Sequence, residues 1–312
     1  MNENAFNCPR DKIIYEEAFT GKTKTYGEFL TDVRRAAHYL RHSLGLKPGQ
    51  ILSIVAPSCI DYIVVAQATW WAGGVVSLIN NSLHETEIAQ ALDLIRPDYL
   101  VVHDSLWDKI PLSLDRCEER LSPTILTLGG KHHASWPSFP PAHHDPAKAA
   151  GELEPYSLQG QDPKTNLCAI LLSSGTTGRP KGVMLSHYNL VSALQQLRGD
   201  NPSNWRPTQR EIFFPPLSHV YGLYVCITGV FWLGAYACLM PRFDLETYCR
   251  LLQDREATLA RMVPPIAKLL AEQPLVQRYK YPKLEYFSCS AAPLNVSLES
   301  AGHFWVSVGD IS

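Results

Sequence analysis

A run of glycine and hydroxyl residues with one lysine follows an apolar segment near the middle of the chain. The run is LLSSGTTGRPKGVMLSH, from Leu171 to His187, and it overlaps the end of the apolar segment NLCAILL. Glycines let backbone N–H groups approach phosphate oxygens, hydroxyls donate further hydrogen bonds, and a lysine neutralises charge on a pyrophosphate leaving group. The residues that this chemistry would use are Ser173, Ser174, Gly175, Thr176, Thr177, Gly178 and Lys181. Their order therefore predicts a polyphosphate-binding loop behind a strand.

The spacing of this loop excludes two common glycine-rich nucleotide motifs. A Walker A loop needs a glycine, four residues and then Gly-Lys-Ser/Thr. Neither that spacing nor the terminal hydroxyl residue is present here, where the lysine precedes Gly182 and an apolar residue comes next. A dinucleotide fingerprint also fails, because GTTGRPKG lacks the paired glycines that lead into a helix N-terminus. A polar turn after a strand, with Pro180 and Gly182 as turn residues, stays open from composition alone.

Several stretches of the chain carry a family resemblance. SSGTTGRPKGVMLSH closely resembles the phosphate-binding signature of the adenylate-forming superfamily, which includes acyl-CoA synthetases, 4-coumarate-CoA ligases, luciferases and the adenylation domains of peptide synthetases. The 4-coumarate-CoA-ligase-like branch is similar in further stretches, in the same order: TYGEFLTDVRRAAHYL, GVVSLINNSLHETEI, PLSHVYGL, LMPRFD and MVPPIAKLLA. The resemblance extends from about Asp11 to Leu294.

The resemblance implies an activity and its cofactors. In that family ATP and a carboxylic acid form an acyl-adenylate and pyrophosphate, and the thiol of coenzyme A then displaces AMP. The implied small molecules are therefore ATP, Mg²⁺, coenzyme A and a carboxylic acid. The protein holds the carboxylate against the α-phosphate and offsets charge on the leaving group.

The resemblance also implies roles for single residues. Ser173 to Lys181 would contact the β- and γ-phosphates, and His219 in PLSHVYGL would act as the catalytic residue beside the acyl carboxylate. Tyr221 would form a wall of the acyl pocket, and Arg242 would lie near the coenzyme A phosphates. The residues implied to line the adenine and acyl pocket are Ser290, Ala291, Ala292 and Pro293.

Each of these residues has a structural alternative. His219 could be a hydrogen-bonded core histidine, Tyr221 could serve packing alone, and Arg242 could be a solvated charge. The chain reads CSAAPL where relatives usually read SGAAPL or SGGAPL. A serine in place of the first glycine adds a Cβ close to the ligand, so the contact with the adenine implied at this position departs from the family pattern.

The resemblance is lost after SAAPL. Relatives continue to a YGxTE-type motif whose glutamate helps to hold magnesium, to an aspartate for the ribose, and to a small domain with a catalytic lysine. The segment NVSLESAGHFWVSVGDIS contains none of these. We therefore expect the N-terminal portion of such a ligase, with little or no activity by itself, and its status as an enzyme stays open. The alternative is a non-catalytic remnant that binds a nucleotide or a protein partner.

The elements that must position these residues alternate between strand and helix along most of the chain. This alternation predicts an α/β fold, doubly wound, with largely parallel sheets and flanking helices. Thr25 and Glu28 form a capping-box pattern ahead of an amphipathic helix that ends near Gly45. A Pro- and His-rich stretch without periodicity predicts a linker at 129–163, between a first α/β subdomain at 1–128 and a second at 164–312 that holds the phosphate loop.

Composition limits the partners and the compartment. The 28 basic and 30 acidic residues leave a formal charge of −2, which offers no attraction for nucleic acid. Eight cysteines are scattered without metal or redox spacing, and the histidine pairs at 132–133 and 143–144 are expected to be solvated, so no metal site is predicted. Reduced core cysteines and the absence of a visible targeting pattern predict a cytoplasmic protein.

One apolar segment raises the question of a membrane. Val220 to Met240 carries no charge over 21 residues, which is long enough to cross a bilayer. Glycines interrupt it, so it also fits a buried helix that ends near Gly234 and a strand AYACLM. We expect the helix and strand, because no second such segment and no flanking basic cluster supports a span.

Overall fold

The computed structural model describes residues 4–131, 133, 135–139, 154–174, 180–290 and 292. Within them the strands are β1 (Ile13–Glu17), β2 (Thr23–Thr25), β3 (Ile51–Val55), β4 (Val75–Ile79), β5 (Tyr99–His103), β6 (Thr124–Leu128), β7 (Leu167–Ser174), β8 (Pro180–Ser186), β9 (Arg210–Phe213), β10 (Tyr236–Leu239), β11 (Leu259–Met262) and β12 (Tyr286–Cys289). The α-helices are α1 (Tyr26–His38), α2 (Ile60–Trp71), α3 (Glu85–Ile95), α4 (Lys109–Leu114), α5 (His187–Asp200), α6 (Phe231–Leu233), α7 (Leu245–Asp254) and α8 (Pro264–Glu272).

The strands form two six-stranded sheets. Sheet I has the order β6-β5-β3-β4-β7-β8, and sheet II has the order β12-β11-β9-β10-β1-β2. Neighbouring strands are parallel except for the β7/β8 pair in sheet I and the β1/β2 pair in sheet II, which are antiparallel. This arrangement confirms the predicted α/β class with largely parallel sheets and flanking helices.

Sheet membership does not follow chain order. The first two strands, β1 and β2, lie in sheet II beside strands from the second half of the chain, with Tyr15 paired to Ala237. In the same way β7 and β8 extend sheet I, where Ser77 of β4 pairs with Ile170. The division into subdomains at 1–128 and 164–312 stays a prediction, although each sheet takes strands from both sides of 129–163.

The core has three apolar layers, one between the sheets and one on each outer face. The central layer joins α1, α2 and the helical segment 222–233 to the inward faces of both sheets. The outer layer of sheet I packs under α3 and α4, and that of sheet II packs under α7 and α8. Residues alternate between faces along each strand, so that Val76 and Leu78 join the central layer while Val75 and Ile79 pack under α3.

Helix α1 begins where the sequence predicts. The Thr25 hydroxyl accepts from the Glu28 backbone at 3.2 Å, and the Glu28 carboxylate accepts from the Thr25 N–H at 2.9 Å. This reciprocal box satisfies two N–H groups that the first turn leaves free. The α-helix ends at His38 and continues as a π-helical turn, Tyr39–Ser43, before Gly45 at a φ of 74°. The change of helix type was not visible in the amphipathic pattern.

The long apolar segment from Val220 to Met240 forms a buried helix followed by a strand, as expected, and not a single long helix. A π-helical stretch, Gly222–Val230, continues into α6, ends at Gly234 with a φ of 63°, and is followed by β10. The helical part packs in the central layer between the sheets, and β10 contributes to that layer with Ala237 and Leu239. Each helix within the described residues is too short or too polar to cross a bilayer.

Candidate functional site

A cleft opens at the carboxyl ends of β4 and β7, beside the segment that follows β9. Its volume is about 320 Å³. The lining includes Leu78, Asn80, Leu172, Ser173, Pro216 and His219. Because ligands of open α/β sheets bind outside the carboxyl ends of the strands, this position is the expected one for a site. The cleft brings together Ser173 and His219, which the sequence predicts for phosphate and for acyl chemistry respectively.

The predicted phosphate loop is in part a β-hairpin. Pro180–Ser186 forms strand β8, antiparallel to β7, with Ser173 opposite Lys181 and Leu172 opposite Gly182. The sequence was interpreted as loop throughout this region, and that interpretation is wrong for β8. Gly175 to Gly178, which include Thr176 and Thr177, lie outside the described residues, and Ser174 is described only as part of β7. The hairpin therefore sets Ser173 and the exposed Lys181 side by side on neighbouring strands.

The exit from the hairpin is held by a second capping box. The Ser186 hydroxyl accepts from the Asn189 N–H at 3.2 Å, and the Asn189 side-chain oxygen accepts from the Ser186 N–H at 2.9 Å. Helix α5 begins directly afterwards at His187, whose pKa burial lowers below its usual value. The strand that carries Lys181 thus ends at a defined helix start.

A short turn positions His219 after β9. The Leu217 N–H donates to the Ser58 hydroxyl at 3.3 Å, and the His219 N–H donates to the Pro216 carbonyl at 3.1 Å. A Cβ on Gly222 would lie 2.5 Å from the Pro216 carbonyl oxygen, so only glycine allows the following helix to approach this turn so closely. The turn holds the exposed imidazole at the rim of the cleft.

One imidazole nitrogen of His219 already has a partner. The Tyr221 N–H donates to Nδ1 of His219 at 3.2 Å. In the neutral ring the proton is then carried by Nε2, which can donate a hydrogen bond to a bound oxygen. Nε2 is therefore the ring nitrogen that is able to donate.

Tyr221 belongs to a buried polar cluster that the sequence analysis missed. Its hydroxyl accepts from Nη1 of Arg261 at 3.0 Å, and its ring stacks on Phe213 with 6.0 Å between the centroids. Nε of Arg261 donates to Glu211, and both charged side chains are buried. The signal available in the sequence was a charged residue inside each of the short apolar runs REIFF and LARMV.

Arg242, Ser290 and Ala292 are not among the described lining residues of this cleft. Arg242 is exposed, and its guanidinium carbon lies 5.2 Å from the centroid of the Phe19 ring. Ser290 follows β12 and donates from its N–H to the Met262 carbonyl at 3.2 Å, while Ala292 is exposed. Ala291 and Pro293 lie outside the described residues. The roles of these residues in binding coenzyme A and the adenine stay predictions.

The fit to magnesium was tested on the acidic and metal-ligating side chains. Among the residues with described positions, no three His, Cys, Asp or Glu side chains are grouped so as to hold a metal ion. The described residues therefore offer no metal site built from protein ligands alone, and no step below is derived through Mg²⁺.

Two further polar residues, Asn80 and Ser218, line the cleft and were not among the predicted site residues. Asn80 directly follows β4, and a polar residue that ends a buried parallel strand lies at the edge where ligands bind, so its position was a signal in the sequence. Ser218 lies in the turn before His219 and had no such signal.

Comparison with known proteins finds a family model and a set of relatives that match most of the chain. The family model described as AMP-binding enzyme matches residues 1–305. The "Probable 4-coumarate–CoA ligase 1" of Dictyostelium discoideum is 26% identical over 295 residues, which cover 93% of this chain and 53% of that protein. The chain thus spans about half the length of the curated relatives it matches.

Two solved structures share the fold. The luciferase-like enzyme from the nonluminescent Zophobas morio mealworm superposes with a TM-score of 0.79 at 18% identity, covering 93% of this chain and 65% of that one. ATP-bound MatB from Rhodopseudomonas palustris gives a TM-score of 0.74 at 24% identity, covering 94% and 54%. Both similarities extend over both sheets of the described chain.

Proposed function

Because the chain belongs to the AMP-binding enzyme family, we propose that its cleft binds ATP and a carboxylic acid for acyl-CoA ligase chemistry. In that chemistry a carboxylate oxygen bonds to the α-phosphorus of ATP, and the bond from that phosphorus to pyrophosphate breaks. The sulfur of coenzyme A then bonds to the acyl carbon, and AMP leaves. One observation carries the proposal: Ser173, opposite Lys181 in the hairpin, lines the same cleft as His219.

Each of these side chains has a task that its geometry supports. The Ser173 hydroxyl donates to a phosphate oxygen, and the ammonium of Lys181 offsets charge on the departing pyrophosphate. Nε2 of His219 donates to the acid carboxylate and orients it, because Nδ1 is already bound by the Tyr221 N–H. Apolar residues of the cleft, among them Leu78 and Leu172, exclude water from the reacting groups.

Turnover by these 312 residues is a question separate from binding, and it is tested separately below. A cytoplasmic location and a small carboxylic acid as the partner, with no nucleic acid, belong to the same proposal.

Calorimetric titration with ATP tests the binding site. We expect the Lys181→Ala variant to bind ATP about tenfold more weakly, because a charge-assisted contact to phosphate is lost. Lys283→Ala provides the matched control. Lys283 is also exposed, but it lies between α8 and the strand β12 of sheet II. A folded wild-type chain that does not bind ATP would contradict the proposal.

Pyrophosphate exchange with a panel of carboxylic acids tests turnover. Binding without exchange is the expected result, and it also fits the alternative of a non-catalytic nucleotide-binding protein. Robust exchange by the purified chain would overturn the expectation of weak turnover and would favour a working ligase.

A further inference from the structure

The cleft takes its lining from both sheets. Asn80 follows β4 and Ser173 lies on β7, so these two residues belong to sheet I. The turn at 216–219, which also lines the cleft, follows β9 of sheet II. The relative position of Ser173 and His219 therefore depends on how this turn is fixed to sheet I.

Ser58 joins the turn to sheet I. It lies in the loop that follows β3 and is 9% exposed, and its hydroxyl accepts from the Leu217 N–H at 3.3 Å. Leu217 is itself 1% exposed, so its N–H needs a protein acceptor. Among the residues that the structure describes, no other hydrogen bond connects 216–219 with any residue between the start of β3 and the end of β8.

The loop that carries Ser58 is also held by sheet II. Helix α2 begins directly after this loop, and its N-cap residue forms no side-chain cap. The Ile60 N–H donates instead to Oε1 of Glu17, at the end of β1, at 3.0 Å. Asp61 accepts from Nζ of Lys22 at 2.8 Å. Because both sheets hold the loop, the Ser58 hydroxyl is a fixed point to which the turn is bonded.

The turn is closed on a second side by the helix that follows it. A Cβ on Gly222 would lie 2.6 Å from Cα of Leu217, so the helix start packs directly against the turn backbone. The Leu217 side chain packs in the central layer, and the His219 N–H donates at 3.1 Å to the carbonyl three residues earlier. These contacts make the turn a single unit, and the Ser58 hydroxyl fixes that unit to sheet I.

The need of a buried N–H for a partner does not by itself explain Ser58. An acceptor from sheet II, from which the turn emerges, would satisfy the Leu217 N–H equally well. The acceptor comes instead from the sheet that carries the proposed phosphate contact, Ser173. This choice ties the turn to Ser173 through β3, β4 and β7, which are neighbouring strands.

On the basis of the proposed function, we infer that Ser58 is a positioning residue, which fixes the turn at 216–219 on sheet I and thereby places Nε2 of His219 for the carboxylate of the acid. Ser58 is not among the described lining of the cleft, so it acts through the turn and not by contact with the acid. Its removal should weaken the binding of the acid but not that of ATP, which uses Ser173 and Lys181.

Calorimetry on the 312-residue chain tests the inference, with ATP alone and with 3-phenylpropanoic acid in the presence of ATP. We expect Ser58→Ala to bind the acid about tenfold more weakly and ATP with unchanged affinity. Ser58→Thr keeps the hydroxyl and should restore acid affinity to within about threefold of wild type. Unchanged acid affinity in Ser58→Ala, an equal loss in Ser58→Thr, or a loss of ATP affinity of the same size overturns the inference and leaves the proposed function standing. A folded wild-type chain that fails to bind ATP or the acid overturns the proposed function itself.

A double-mutant cycle with His219→Ala separates positioning from a general loss of stability. Once the imidazole is gone, Ser58→Ala should lower acid affinity by less than about twofold, because nothing remains to be positioned. Ser113→Ala is the matched control, since Ser113 is also buried and its hydroxyl makes one hydrogen bond, to the Lys109 carbonyl at 2.9 Å in α4. This variant should lower the free energy of unfolding but keep acid affinity. A full-sized loss of acid affinity in the His219→Ala background, or in the control, contradicts the inference.

Discussion

At the scale of single residues, the proposed role of His219 depends on which ring nitrogen carries the proton. A backbone N–H donates to Nδ1, so in the neutral ring Nε2 carries the proton. The two ring nitrogens differ because the turn brings the backbone N–H of Tyr221, two positions later, onto Nδ1. It ties the chemistry of His219 to the backbone of Tyr221, and hence to the buried cluster beneath it.

Two substitutions of His219 should differ in effect, because each retains the hydrogen-bonding function of only one of the two imidazole nitrogens. In His219→Asn the side-chain oxygen can still accept from the Tyr221 N–H but nothing replaces Nε2, whereas in His219→Gln the amide reaches the Nε2 position. We expect the asparagine variant to bind a carboxylic acid about tenfold more weakly and the glutamine variant to lose less. Titration with one acid in the presence of ATP measures both, and equal losses would argue against Nε2 as the donor.

A second residue-scale prediction concerns pH. Burial lowers the pKa of His187 in the folded state, so below about pH 6.5 the unfolded chain binds the proton more strongly than the folded chain does. The free energy of unfolding should therefore decrease as the pH falls from 7.5 to 5.5. Urea titrations across that window measure it. His187→Asn should make the dependence shallower, and an unchanged slope in this variant would contradict the prediction.

At the scale of elements, a helix start could be predicted from the local sequence, whereas pairing between distant strands could not. The box at Thr25 and Glu28 could be predicted because all of its atoms lie within four residues. Strand β8 could not, because its polar and glycine-rich sequence becomes a strand only through pairing with β7. The Glu211 and Arg261 pair escaped for the same reason, since these residues are 50 positions apart and meet only when β9 and β11 align.

The helical segment 222–233 offers a sharp test of packing between elements. A Cβ on Gly229 would lie 2.6 Å from a ring carbon of Trp205 and 2.8 Å from the Tyr224 carbonyl oxygen. Gly229→Ala should therefore lower the free energy of unfolding by about 1 to 3 kcal/mol through overpacking.

Gly199→Ala in α5 is the matched control for this change. A Cβ there meets nothing within 4 Å, so the variant should gain roughly 0.5 to 1 kcal/mol from helix propensity. Thermal and urea unfolding of both variants measure the difference, and the same sign of change in both would contradict this account.

At the scale of the whole molecule, the two sheets share one apolar layer. Helices α1 and α2 and the segment 222–233 contact the inward faces of both sheets, so neither sheet can lose this layer without exposing the other. The α/β class could be predicted from alternation along the chain, but this sharing could not. It depends on β1, β2, β7 and β8 crossing to the sheet that chain order does not suggest.

Disruption of the shared layer should affect both sheets equally. Phe29 is fully buried in that layer, and Phe29→Ala should cost about 3 to 5 kcal/mol. Phe19→Ala is the control, because Phe19 is 44% exposed. Thiol labelling of Cys168 in sheet I and Cys238 in sheet II, followed by mass spectrometry across a urea series, reports each sheet separately. Different shifts of the two midpoints would show that the sheets unfold independently.

The pairing of Tyr15 with Ala237 also has a consequence for how the chain is made. A ribosome releases β1 about 220 residues before β10, so at 5 to 20 residues per second β1 waits roughly 10 to 45 s for its parallel neighbour. Sheet I is complete once Ser186 emerges, whereas sheet II cannot close until translation has passed its later strands. During that interval the edge of Ile13–Glu17 that later pairs with β10 stays open, and Ile14 and Tyr15, which are fully buried in the folded chain, lack their partners from the second half of the chain.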